Sequence, residues 1–279
     1  MVETITGTAA GVPFTAVPPP GGGPAPLIVS WHMLDAPRTD AAFAAALPMA
    51  GVRAWRVHLG MPMCGARMVD GRVDAVVELA REDALLSFLA PFTRQAAAEF
   101  PAALAALRAQ LPIEDGPVSL LGASLGGTVA LEVLAAQGIP VRSVALVNPA
   151  ARIRSAVGLV DGLAGHPYRW TPEAREVARE LDFVARAGEI AGEPPFLLIS
   201  GERDHPDLRV DAAALVDALR GRYARPDEVE LVTVPGLAHP LADEPGLEPA
   251  PQSPVAKAVD EILTTWFARQ VAGEGSGRR

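Results

Sequence analysis

The chain has 279 residues, 49% of them hydrophobic, and a formal net charge of −9 at pH 7. This length suits a single large α/β domain with a sizeable core, and the acidic balance argues against nucleic acid and membrane partners, which are bound through basic patches. No apolar run could span a bilayer, and the N-terminus lacks the pattern of a signal peptide, so we expect a cytoplasmic location. The single cysteine, Cys64, excludes an intramolecular disulfide and is interpreted as a small apolar filler.

The first part of the chain is predicted to alternate strands with helices. Short apolar runs with β-branched residues indicate buried strands, and apolar residues three and four apart indicate amphipathic helices. In chain order we expect an edge hairpin (3–8 and 13–17), a strand (26–31), a helix (40–47), a strand (52–59) that ends in a loop (60–65), and a long helix (88–110).

The same alternation continues to the C-terminus. The sequence predicts a strand (118–121), a helix (127–136), three strands (141–147, 196–200 and 229–234), a helix between the last two (210–220), and a closing amphipathic helix (253–270). Strands that alternate with helices predict an α/β fold with a doubly wound, mostly parallel sheet and helices on both faces.

One stretch interrupts this alternation. Residues 151–192 are about twice as long as a simple crossover helix, and they include an expected helix over 172–187. We interpret the stretch as a small helical cap over the mouth of the sheet, with residues 1–150 and 193–279 forming the two parts of the core. The alternative is a long crossover that packs on the side of the sheet.

The most specific motif is Gly-Ala-Ser-Leu-Gly, from Gly122 to Gly126, between a predicted strand and a predicted helix. A sharp turn there would leave no room for a side chain at either end, which explains both glycines. The hydroxyl of Ser124 would lie at the apex of the turn. A serine hydroxyl is a poor nucleophile alone, so the motif predicts a partner base and acid elsewhere in the chain.

The base and the acid are expected in loops at the carboxyl ends of strands. Asp204 follows the strand 196–200, and His239 follows the strand 229–234, so both meet this condition. His205 directly follows Asp204, which places it badly for accepting that carboxylate's hydrogen bond while also reaching Ser124. The alternatives are Glu202 and Asp207 for the acid, and His205 and His166 for the base.

The order Ser124, Asp204, His239, each behind its own strand, resembles the α/β-hydrolase family along nearly the whole chain. The resemblance rests on Gly-Ala-Ser-Leu-Gly, Gly-Glu-Arg-Asp and Gly-Leu-Ala-His. It implies a serine hydrolase that is similar to esterases, and an oxyanion hole formed by the N–H of Leu125 and one N–H after the strand 26–31.

The loop after that strand departs from the family pattern. Many relatives have His-Gly there, followed by the donor residue, whereas this chain has Trp31-His32-Met33-Leu34. Aligning on His32 makes Leu34 the second donor and puts Met33 in the place of glycine. The Met33 side chain could then narrow the hole, or its own N–H could take part. His32 itself is interpreted as a structural hydrogen bonder to loop backbone.

Apolar residues near the predicted mouth suggest an acyl or aryl pocket. The candidates are Met33, Met61, Met63 and Met68, together with Tyr168 and Trp170 of the cap. Ordinary anchoring of loops against the core is the alternative. No dinucleotide turn, P-loop or metal-spaced His/Cys cluster occurs in the sequence, so no cofactor and no metal are expected.

These features predict a serine hydrolase acting on a small-molecule ester or related acyl compound. A thioesterase, a peptidase, a lactonase, an enzyme of carbon–carbon cleavage or an acyltransferase could use the same residues. A non-catalytic ligand-binding protein of the same fold is the alternative from another class. A monomer and a homodimer are both compatible with the sequence.

Overall fold

An eight-stranded sheet lies at the centre of the computed structural model, which describes residues 4–72, 74–164 and 167–272. The strands are β1 (Ile5–Ala9), β2 (Val12–Val17), β3 (Leu27–Trp31), β4 (Trp55–Leu59), β5 (Val118–Ala123), β6 (Val141–Val147), β7 (Phe196–Gly201) and β8 (Val229–Val234). They lie in the order β1-β2-β4-β3-β5-β6-β7-β8. The hairpin β1–β2 and the pair β2–β4 are antiparallel, and all other neighbours are parallel. The predicted mostly parallel sheet is confirmed.

Helices cover both faces of the sheet, as a doubly wound fold requires. Side chains alternate along each strand, so that Leu27, Val29 and Trp31 enter the larger core while Ile28 enters the smaller one. The smaller core is closed by α1 (Asp40–Ala46) and α8 (Pro254–Ala272). The larger core is closed by α2 (Asp74–Asp83), α3 (Ala90–Gln110), α4 (Leu125–Ala135), α5 (Ile153–Ala164), α6 (Pro172–Glu180) and α7 (Pro206–Arg220). None of the helices in the described ranges is both long and apolar enough for a membrane span.

Several element boundaries differ from the predicted ones. The strand expected from 52 begins at Trp55, because the carbonyls of Val52 and Ala54 turn to accept 2.8 Å hydrogen bonds from Arg56 Nη1. Helix α7 begins at Pro206 rather than at 210, since proline suits the first turn of a helix. Helix α6 ends at Glu180, seven residues before the predicted end at 187, and the chain continues in turns.

Helix α2 was not predicted, and a single π-helical turn, Ala84–Leu89, was predicted only at its last two residues, where the expected helix 88–110 begins. Asp83 caps this π-helical turn, because its carboxylate accepts hydrogen bonds from Leu85 N (3.0 Å) and Leu86 N (2.7 Å). Helix α5 packs against both elements, and α6 packs against the turn. Two chain segments, 60–89 and 151–192, therefore lie together, whereas the sequence suggested only the second. The division of the chain at 151 and 192 stays a prediction.

Two histidines are buried near the ends of β3 and β4, His32 and His58. His58 of β4 contacts Phe43 of α1, shares a 2.7 Å hydrogen bond with Ser30 Oγ through Nδ1, and has no partner for Nε2 among the described residues. Burial lowers the pKa of His58 to about 3, and the nearby charge of Arg56 acts in the same direction. Burial likewise lowers the pKa of His32 to about 4. Both imidazoles are therefore neutral in the folded protein at neutral pH.

We expect acid to destabilise the fold as the pH falls from 6.5 toward about 4, because the unfolded chain takes up protons at both histidines while the folded chain leaves them neutral. Between neutral pH and about pH 4.5, the unfolding free energy of His58→Asn should fall less than that of the parent protein, by on the order of 2–3 kcal/mol. Urea titrations at the two pH values measure this difference. The exposed His205 provides the control His205→Asn. An equal effect of both substitutions would contradict the assignment.

Candidate active site

The turn from β5 to α4 holds Ser124 in a strained conformation. Its φ of 51° and ψ of −121° lie outside the regions that residues with a side chain ordinarily adopt. A Cβ at Gly122 would lie 2.3 Å from Gly126 O, and a Cβ at Gly126 would lie 2.3 Å from Trp31 O, so the predicted need for glycine at both positions is confirmed. The N–H of Ser124 donates to Val147 O at the end of β6 (3.0 Å), which helps to hold the turn.

The three residues that the sequence singled out are brought together by the structure. Ser124 Oγ lies 2.7 Å from His239 Nε2, and His239 Nδ1 lies 2.7 Å from Asp204 Oδ1. The side chains of His239 and Asp204 are only 4% and 1% exposed. With Asp204 ionised, Nδ1 carries the proton and Nε2 is free to accept one from the serine hydroxyl. The same Asp204 oxygen accepts a 2.7 Å hydrogen bond from the N–H of His205, which fixes the carboxylate.

The alternative acids and bases lie elsewhere. Glu202 accepts a hydrogen bond from Gly236 N (2.9 Å), and Asp207 is exposed in the first turn of α7. His205 is exposed, and its ring lies 5.4 Å from the ring of His239, between centroids. His166 lies outside the described residues. Of the candidates that can be placed, Asp204 and His239 contact each other, and His239 also contacts Ser124.

Asn148, which the sequence analysis missed, ties the loops of the acid and the base together. It follows β6 with a positive φ of 45°, a conformation that asparagine tolerates better than most residues. Its buried amide donates to Ala238 O (2.8 Å) and His239 O (3.1 Å), and its carbonyl accepts from Gly201 N (2.7 Å). The usable signal was an asparagine directly at the end of a central strand.

The loop after β3 is held by His32. Its Nδ1 donates to Met33 O (2.7 Å) and its Nε2 accepts from Met61 N (3.2 Å), a pattern that the neutral ring alone can make. The expectation that His32 bonds loop backbone is confirmed. The Met33 side chain is fully buried in the smaller core. It therefore does not narrow the space above Ser124, as its place in the sequence had suggested it could.

The direction of one backbone donor follows from these contacts. In a trans peptide the N–H points opposite to the preceding C=O. Because Met33 O is bound to His32, the N–H of Leu34 is directed away from His32. The other expected donor is the N–H of Leu125, which is at the first position of α4 and has no acceptor within the helix. Glycine at position 126 allows the start of α4 to approach the loop after β3, since a Cβ at this position would collide with the backbone of Trp31 and His32.

A cavity of about 300 Å³ opens beside Leu34 and extends under α2 and α5. Its lining is mainly apolar and consists of Leu34, Asp35, Arg38, Met63, Cys64, Gly65, Met68, Val76, Val77, Phe88, Val160 and Leu247. Burial raises the pKa of the Cys64 thiol to about 12, which agrees with its interpretation as an apolar filler. The cavity therefore offers an apolar wall close to the reacting groups.

The cavity agrees only in part with the pocket expected from the sequence. Met63 and Met68 line it, but Met61 is fully buried in the larger core and, like Met33, offers no surface to a ligand. Tyr168 and Trp170 are absent from the lining. Their rings contact each other edge to face at 4.9 Å between centroids, and the Tyr168 hydroxyl donates to Asp83 Oδ1 (2.6 Å). These contacts draw both aromatic rings toward the π-helical turn.

Two charged residues of the cavity were not anticipated. Asp35, half-exposed, has its Oδ2 3.6 Å from His239 Nε2. Arg38 pairs with Glu244 on the other side of the loop. Asp35 directly follows Leu34 and Arg38 lies three residues further on, but the directions of loop side chains carry no periodic pattern. Within the described ranges, no group of three or more His, Cys, Asp or Glu side chains is placed to hold a metal ion.

No family model and no curated protein matches the chain. TT1662 from Thermus thermophilus is similar in structure, with 22% sequence identity, a TM-score of 0.61, and coverage of 96% of this chain and 98% of that chain. Est1E from Butyrivibrio proteoclasticus is similar with 14% sequence identity and a TM-score of 0.60, and the match covers 96% of this chain and 99% of that chain. MGS-MChE2, an alpha/beta hydrolase enzyme from a sediment metagenome of the Mar Chica lagoon, is similar with 14% sequence identity and a TM-score of 0.54, and the match covers 95% of this chain and 99% of that chain. The chain has the α/β-hydrolase fold.

The role of Asn148 can be tested by two substitutions. Asn148→Gly keeps the backbone conformation accessible but removes the hydrogen bonds, and it should lower the free energy of unfolding by about 1–3 kcal/mol, because buried partners lose their bonds. Asn148→Ala should cost about 1 kcal/mol more, since alanine disfavours a positive φ. Urea unfolding of both variants measures this difference. A glycine variant as stable as the parent would show that the hydrogen bonds contribute nothing.

Proposed function

We propose that the protein is a serine hydrolase that cleaves a carboxylic ester, or a related acyl bond, through Ser124, His239 and Asp204. The observation that carries the proposal is the continuous chain of two 2.7 Å contacts from Ser124 Oγ to His239 and on to Asp204. Both the strained serine and the buried carboxylate cost stability, so their presence together favours a catalytic role over a ligand-binding one. MGS-MChE2, one of the proteins of similar structure, is an alpha/beta hydrolase enzyme, which agrees with this proposal.

In the proposed reaction, Ser124 Oγ attacks the acyl carbonyl carbon while His239 Nε2 accepts the hydroxyl proton. The carbonyl electron pair moves to oxygen and returns as the bond to the leaving group breaks, and the leaving group takes the proton from His239. A water molecule then attacks the acyl-enzyme with His239 again as the base. This second step releases the carboxylic acid and restores the serine hydroxyl.

Asp204 has two tasks in this scheme. It holds the proton on His239 Nδ1, which leaves Nε2 as the acceptor that faces Ser124. Its buried negative charge also stabilises the imidazolium that forms when His239 takes the serine proton. Since water is excluded from the Asp204 side chain, this attraction is stronger than it would be at the surface.

The oxyanion would be bound by the N–H groups of Leu125 and Leu34. Neither donor depends on the identity of its side chain, and Leu125 N–H gains from the positive end of α4. His32 is a positioning residue in this scheme, because its hydrogen bond to Met33 O sets the direction of the Leu34 N–H. A cytoplasmic location and a monomeric or homodimeric state stay predictions from the sequence.

Removing the nucleophile is the direct test. Ser124→Ala should lower the hydrolysis of p-nitrophenyl butyrate by roughly 10⁴- to 10⁶-fold while leaving the thermal unfolding transition in place. A fluorophosphonate probe should label the parent and fail to label this variant. Labelling that persists in Ser124→Ala would disprove the role of Ser124. Asp204→Asn should lose activity. Asp207→Asn is its matched control, since Asp207 is exposed, and this variant should retain activity.

The positioning role of His32 predicts a separate kinetic effect. His32→Leu should lower kcat by up to about 10²-fold with little change in KM, because the oxyanion donor is misdirected only where charge develops. His32→Asn should recover part of the loss, since its amide nitrogen can replace Nδ1 as the donor to Met33 O. Steady-state kinetics on the same ester provide the measurement. An unchanged kcat in His32→Leu would contradict the proposed role.

A further inference from the structure

The cavity beside the proposed catalytic residues is lined by a positively charged residue, which the sequence analysis did not anticipate. Most of its lining is apolar, yet Arg38 contributes to the wall, and Asp35, another lining residue, lies near His239. An apolar acyl chain would account for the aliphatic lining, but it would not account for a charged group there. Placing a charge next to an apolar wall is costly unless the charge has a partner.

Arg38 has unused hydrogen-bonding capacity. Its side chain, 22% exposed, makes one hydrogen bond to a described residue, from Nη2 to Glu244 Oε2. Its Nε is buried without a partner among the described residues. A guanidinium offers five N–H donors in a planar fork, and those on Arg38 Nη1 make no hydrogen bond to a described residue, so they can bind another group.

The negative charges nearby do not saturate Arg38. Glu244 is 55% exposed, and a pair with so exposed a partner contributes little stability, so a ligand can compete with it. Asp35 points to His239 Nε2 and forms no ion pair with Arg38 in the described part of the chain. The positive charge is also felt along the cavity wall, where it opposes the effect of burial on the pKa of the neighbouring Cys64.

Leu34 joins the cavity to the reaction centre. Its N–H is the proposed oxyanion donor, and the same residue lines the cavity. An acyl carbonyl bound at this N–H would therefore lie beside the cavity, whose lining also includes Met63, Val160 and Arg38.

We propose that the acyl group of the substrate ends in a carboxylate, which Arg38 binds while the intervening methylene groups lie on the apolar lining. This inference rests on the proposed hydrolase function and specifies its substrate class as half-esters of dicarboxylic acids. A carboxylate is planar and has two acceptor oxygens, which match the fork of a guanidinium. The charge of the substrate would then fix the orientation of its chain and place the ester carbonyl at Ser124.

Matched pairs of p-nitrophenyl esters test the proposal: the glutarate with the pentanoate, the adipate with the hexanoate, and the suberate with the octanoate. Within each pair the chain length is equal and only the terminal group differs. The parent protein should favour the acid-tailed ester in at least one pair. In Arg38→Met the ratio of kcat/KM for that pair should fall by roughly ten- to hundredfold, the range for a charged hydrogen bond.

Glu244→Gln separates ligand binding from a structural role of the ion pair. This variant breaks the same pair but leaves the guanidinium in place, so the preference for the acid-tailed ester should persist or increase. An equal loss in Arg38→Met and Glu244→Gln would assign Arg38 to the support of its loop and overturn the proposal. A preference for neutral esters in every pair would do the same. So would a preference for the 6-aminohexanoate ester that disappears in Asp35→Asn, because Asp35 would then read the charge.

Binding measurements keep this inference separable from the proposed function. Monomethyl adipate and methyl hexanoate are titrated calorimetrically into Ser124→Ala and into Ser124→Ala with Arg38→Met. Tighter binding of monomethyl adipate that depends on Arg38 supports the inference even if no ester is turned over, which would contradict the hydrolase function alone. Turnover of neutral esters together with no Arg38-dependent binding would overturn the inference alone.

Discussion

The close approach of two backbone segments governs the geometry of the site. Strand β3 pairs with β5 so that Trp31 lies opposite Gly122, and both strands end at the same edge of the sheet. Just beyond this edge the backbone of Trp31 and His32 comes so near to Gly126 that a Cβ there would lie within 2.4 Å of their carbonyl oxygens. Backbone contact at this distance sets the spacing between the nucleophile turn and the loop that carries Leu34.

The remaining parts are attached to this contact by hydrogen bonds of buried polar groups. His32 directs the loop on one side of Ser124, and Asn148 joins the loops of His239 and Asp204 on the other. Each of these bonds is made by a buried side chain, so losing one leaves a polar group unpaired. The precision of the site therefore depends on side chains that are outside the reaction itself, as is expected when catalysis requires fixed dipoles.

The sequence was sufficient for the central sheet and for Ser124, Asp204 and His239. Each of these residues directly follows a strand, and the carboxyl ends of parallel strands meet at one edge, so the topology alone brings them together. The pattern was insufficient in the stretch 60–89. Helix α2 presents apolar residues at Val76, Val77 and Ala80 between charged ones, too short a repeat to distinguish a helix from a loop.

Directions of side chains beyond strand ends were also unpredictable. Met33 and Met61 were expected near the substrate, but both turn into the core, whereas Asp35 and Arg38 turn toward the cavity. In a strand or a helix, periodicity tells which face a residue occupies. An irregular loop has no period, and its side chains are placed by contacts that only the folded chain reveals.

Leu34 illustrates a consequence of dividing one residue between two roles. Its peptide N–H is the proposed oxyanion donor, and the same residue lines the cavity. Mutation replaces side chains and leaves the peptide unit unchanged. Descendants of this gene could therefore acquire new acyl preferences by exchanging residue 34 for other aliphatic side chains, without giving up the proposed oxyanion donor.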